Sequence, residues 1–64
     1  SSADNKRYNV LTAKLDELYK ECVPILENLI LISPNNDGAI KTLMNIYGTL
    51  GNTEGFSKMK KLLE

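Results

Sequence analysis

A chain of 64 residues allows one small domain, and such a domain buries only about 60% of the surface that its unfolded chain exposes. Hydrophobic residues at 42% and charged residues at 25% exclude a disordered tail. A formal net charge of +0, eight Lys+Arg against eight Asp+Glu, argues against a phosphate-binding surface for nucleic acid. There is no histidine, so the commonest general base and the commonest metal ligand are both missing. One cysteine excludes an internal disulfide framework.

The first half carries a long apolar seam. Tyr8, Leu11, Leu15, Leu18, Cys22, Ile25, Leu29 and Ile32 follow one another at alternating steps of three and four, the spacing of one helix face. A second row, Tyr19, Leu26 and Ile30, widens the stripe from Leu18 onward. Ser2, Asp4 and Asn5 are candidate amino-terminal caps, and Asp16 with Lys20 offers an acid-first surface pair. Pro24 removes one backbone donor, but the apolar phase runs through it, so a bent continuous helix over residues 4–32 is expected.

The cluster Ser33-Pro34-Asn35-Asn36-Asp37-Gly38 predicts a turn. Pro34 disfavours helix at Ser33, and Asn35, Asn36 or Asp37 can cap a second helix. That helix is expected over 38–50, with Ala39, Ile40, Leu43, Ile46, Tyr47 and Leu50 inward and Gly51 as its left-handed terminator. Asn52 or Thr53 opens a third helix over 53–63, with Phe56, Met59, Leu62 and Leu63 as its apolar face. Lys58, Lys60 and Lys61 complement the negative end of its dipole. The expected fold is all-α: three helices in an antiparallel array, within a single domain over 1–64. The core is expected at Leu18, Cys22, Leu26, Leu29, Leu43, Ile46, Tyr47, Leu50, Met59 and Leu63.

From Leu18 to Leu63 the chain resembles tetratricopeptide repeat sequence. The resemblance is carried by Cys22, Leu26 and Leu29, by Pro34 closing a repeat, and by Asn35-Asn36 as spacer. Leu43, Tyr47, Leu50, Gly51 and Asn52 follow in the next helix. The stretch Leu18-Tyr19-Lys20-Glu21-Cys22-Val23-Pro24 is similar to repeat proteins of Bacteroides-type bacteria. The resemblance implies an α-solenoid fragment: one repeat over about 37–64 and, before it, a long helix in which an earlier pair is fused. Phe56 falls where the family carries alanine, and its ring is expected to splay the last helix or to fill a space left by Met44.

What this implies functionally is a scaffold that offers a concave helical face to a peptide or partner protein. Lysine and asparagine in the places of Lys41 and Asn45 grip a carboxy-terminal carboxylate in some members of the family. A flexible ammonium and an amide donor can converge on one carboxylate. Lys41, Asn45 and Thr49 are therefore the candidate peptide-binding residues. The alternative is a structural helical hairpin that self-associates through the long first helix, forming a homo-oligomer without a peptide groove.

No enzymatic activity is expected. Cys22 lies on the apolar seam with no histidine to activate it and reads as a small buried packing residue. Asp16, Glu17 and Glu21 read as a solvated face beside Lys14 and Lys20, and Lys58, Lys60 and Lys61 as solvation plus dipole complement. Tyr47 reads as core and Tyr8 as thinly covered. No catalytic, cofactor-binding or metal-binding residue is assigned, and nucleic acid is not an expected partner. The longest apolar run, Leu29 to Ile32, is four residues against the ~20 that span a bilayer, so no membrane span is expected. No signal-peptide core is visible, and the resemblance places the chain in a bacterial cytoplasm or periplasm.

Overall fold

The computed structural model describes the backbone from residue 2 and the side chains from residue 7 to the carboxy terminus. The expected caps at Ser2, Asp4 and Asn5 lie outside the described side chains. Three helices follow in chain order: α1 over Ser2–Ile32, α2 over Asp37–Thr49 and α3 over Thr53–Leu62. No strand occurs among the described residues, and the all-α array with a long first helix is the observed fold.

Pro24 lies inside α1, which runs on without a break. One missing donor does not end a helix whose flanking residues continue its apolar phase. At about 1.5 Å per residue, the 31 residues of α1 account for the long dimension of the molecule, 46 × 19 × 16 Å. The radius of gyration is 14.2 Å, against about 11 Å for a compact domain of this length. α1 reaches well past its neighbours.

The turn from α1 to α2 begins where the Ser33 amide donates to the Leu29 carbonyl at 2.8 Å. Asn36 then caps α2, its side-chain oxygen accepting from the Ala39 amide at 3.1 Å. The end of α2 is a Schellman closure. Gly51, with φ 76°, sits in the left-handed region, and the Gly51 and Asn52 amides donate back to the Gly48 and Tyr47 carbonyls at 3.2 and 2.8 Å. Asn52 at once starts α3, its side chain accepting from the Gly55 amide at 2.9 Å.

The core is small and sits on α2. Ile40 and Leu43 are fully covered, and Ala39 and Ile46 are nearly so. The three large side chains, Ile40, Leu43 and Ile46, each contribute about 1.5–3 kcal/mol of burial. α2 packs against both α1 and α3, whereas among the described residues no Cα of α1 lies within 8 Å of one of α3.

The expected core is corrected on α1. Leu18 is 58% exposed, Leu29 is 39% exposed, and Cys22 is exposed as well. The half-covered residues of α1 are Asp16, Tyr19, Val23, Leu26 and Ile30, so the narrower second row, joined by Val23, faces α2. The main seam points elsewhere. Both stripes have helical spacing, and docking of α2 selects the row beside the seam. Leu26, Tyr47, Leu50, Met59 and Leu63 are half-buried.

Candidate functional site

α1 and α3 rise on either side of α2 with their backbones apart, and the space between them is a groove of about 310 Å³. Its walls are Glu27, Ile30 and Leu31 from α1, then Lys58, Met59 and Leu62 from α3. Leu43 and Tyr47 of α2 form its floor. The lining is apolar with one acid and one base at the rim. The volume is at the lower end of the ~300–1,000 Å³ of ligand pockets.

Tyr47 organises this groove. Its hydroxyl donates to the Glu27 carboxylate at 2.8 Å, tying α2 to the wall formed by α1. Partial burial, with the hydrogen bond and the negative charge of Glu27 added, pushes the phenol up from 10.0 to about 12. The Cγ end of the same ring lies over Gly55, which is buried. Gly55 supplies the close approach, and the Phe56 ring lies beside Gly48, where an added Cβ would be 3.5 Å away.

Lys41, Asn45 and Thr49 follow one another along an exposed strip of α2. The Thr49 hydroxyl donates to the Asn45 carbonyl at 3.0 Å, which fixes its rotamer. None of the three lines the groove, because Leu43 and Tyr47 leave α2 from the opposite side. The molecule therefore offers a polar strip and an apolar groove on two sides of one helix. A concave face was expected at Lys41, Asn45 and Thr49, whereas the groove lies between α1 and α3. Its signal was present in the apolar residues Leu31 and Leu62, which extend the faces of α1 and α3 beyond what packing against α2 requires.

The acidic residues of α1 do not form a cluster. Glu17 pairs with Lys20 at 3.6 Å on an exposed turn, in place of the Asp16–Lys20 pair expected from spacing. Among the described residues no group of three His, Cys, Asp or Glu side chains could hold a metal ion. No helix among them is long and apolar enough to cross a membrane. Comparison with models of known protein families, with curated proteins and with solved structures gives no match.

Proposed function

We propose that this chain is a tetratricopeptide-like interaction module that receives an apolar-anchored peptide segment of a partner protein. The observation that supports this reading is the groove between α1 and α3, floored by Leu43 and Tyr47. An extended or helical segment placed there would bury one or two apolar side chains against Ile30, Met59 and Leu62. Lys58 at the rim favours an acidic residue beside the anchor. The area on offer is well below the ~800 Å² per partner of a standard interface, so affinity is micromolar or weaker.

The polar strip of Lys41, Asn45 and Thr49 is the competing surface within the same function. A carboxylate held there would bind less tightly as salt rises, because exposed charges are screened. An NMR titration separates the two surfaces. Decapeptides carrying Leu or Phe beside Glu should shift Ile30, Tyr47, Met59 and Leu62, and Leu62→Lys should weaken binding while Lys41→Ala does not. Shifts confined to Lys41, Asn45 and Thr49, abolished by Lys41→Ala, would move the site to the strip.

A further inference from the structure

The seam of α1 is bare along its described length. Tyr8 is 70% exposed, Leu11 61%, Leu15 48%, Leu18 58% and Ile25 68%. The accessible surface of the whole chain is 5023 Å², against about 4,100 Å² for a compact protein of its mass. The seam also obeys a stricter rule than a helix face needs. Tyr8, Leu15, Cys22 and Leu29 recur every seven residues, as do Leu11, Leu18, Ile25 and Ile32. A strict seven-residue repeat is the signature of two helices wound on each other. The row that meets α2 lies about 100° further round α1, given ~100° per residue. A second helix can therefore lie on the seam while α2 keeps its place.

We propose that the seam is covered by α1 of a second copy of this chain, running antiparallel. The flanking charges choose the partner and the register. With the two-fold axis between Asp16 and Glu17, the layers are Leu15 on Leu18, Leu11 on Cys22 and Tyr8 on Ile25, each occurring twice. Flanking positions then set Lys14 of one copy beside Glu21 of the other, also twice, and Arg7 beside Asn28. An antiparallel register shifted by one heptad sets Glu21 against Glu21. A parallel pair sets Lys14 beside Tyr19 and Glu21 beside Leu26, with no charge matched.

The covered side chains amount to roughly 600 Å² per chain, judged from their exposures, which places the pair at the small end of specific interfaces, ~1,200–2,000 Å² in total. A micromolar dimer is expected. The dimer uses a face of α1 other than the groove, so it stands or falls independently of peptide binding.

Sedimentation of the full chain from about 5 μM to 1 mM tests the proposal, with expected conversion from monomer to dimer. Leu15→Glu and Leu18→Glu alter exposed positions, so each chain should stay helical by circular dichroism. Each should raise the dissociation constant at least tenfold. Lys14→Glu should weaken the dimer several-fold, and Lys14→Glu with Glu21→Lys should restore it. Under mild oxidation the Leu11→Cys chain should cross-link from position 11 to Cys22 of the other copy, identified by peptide mass. The unmodified chain should not cross-link through Cys22. A monomer at every concentration, a dimer indifferent to Leu15→Glu and Leu18→Glu, no rescue by the charge exchange, or a Cys22–Cys22 dimer of the unmodified chain would each overturn it.

Discussion

Gly55 lies so close to the ring of Tyr47 that a methyl carbon built on it would stand 2.8 Å from Cγ and Cδ2. Both are held by a hydrogen bond. The Gly55 amide is held by Asn52, and the Tyr47 hydroxyl is held by Glu27, so neither can withdraw cheaply. Gly55→Ala should therefore destabilise by about 1–2 kcal/mol, an overpacking cost partly offset by the better helix propensity of alanine. Gly48→Ala should do the reverse. Its Cβ would rest at an ordinary 3.5 Å from Phe56, and replacing glycine inside a helix gains about 0.5–1 kcal/mol. Urea unfolding of the two variants should give midpoints on opposite sides of the parent.

Leu43 is fully buried and Leu18 is 58% exposed, although both occupy apolar helical positions. Leu43→Ala should cost about 2–5 kcal/mol, enough to unfold most molecules of a domain this small. Leu18→Ala, measured in dilute monomer, should cost less than about 1 kcal/mol. Thermal melts at low concentration discriminate the two. Equal losses would return Leu18 to the core.

The three helices and their turns were legible because each is a local matter, and Gly51 directly follows an apolar-periodic run. The caps were narrowed only to Asn35, Asn36 or Asp37 and to Asn52 or Thr53, since each of these side chains can accept from a following amide. The choice between two adjacent stripes on α1 was not legible. Tyr19, Val23, Leu26 and Ile30 pack, while the longer row of Leu15, Leu18, Cys22 and Ile25 does not, and only the docking of α2 decides between them. The close approach of Gly55 to Tyr47 was not legible, because it depends on how α3 docks on α2. A lone glycine inside a helical pattern, eight residues after a tyrosine, was the available sign of close approach. That Lys41, Asn45 and Thr49 are exposed was legible, because Leu43, Ile46 and Leu50 turn the other side of α2 inward, whereas the groove depends on how far α1 and α3 stand apart.

Tyr47 should make stability fall at high pH. Its phenol titrates at 10.0 when unperturbed and at about 12 in the fold. Below pH 10 both the folded and unfolded phenols are protonated and the contribution is complete. Between about 10 and 12 the unfolded phenol ionises while the folded one resists, so the contribution is lost progressively. Tyr47→Phe should remove this component and cost at most about 1 kcal/mol at neutral pH, the net worth of one hydrogen bond. Denaturant midpoints at pH 9 and pH 11 check it, with Tyr8→Phe as control because Tyr8 is exposed.

The two turns depend on single side chains. Asn36→Ala and Asn52→Ala each remove the acceptor for the third amide that follows and should each cost about 1 kcal/mol. Asn36→Asp and Asn52→Asp should keep nearly full stability, since aspartate caps equally well. Gly51→Ala should also cost about 1–2 kcal/mol, because a side chain disfavours the left-handed backbone at φ 76°. Chemical denaturation of the five variants gives the comparison.

Tyr47 has a role that reaches beyond its own packing. It touches α3 through Gly55 and α1 through Glu27, two helices whose backbones stand apart. A perturbation of α3 therefore has a route to α1 through the phenol ring, beside the wider packing of α2 against both. In a double-mutant cycle, Gly55→Ala and Glu27→Gln should be non-additive by about 0.5 kcal/mol or more, a coupling ordinarily confined to residues in contact. Replacing Tyr47 with leucine should abolish that coupling and leave two helix pairs that respond to mutation separately, as links of a linear chain do.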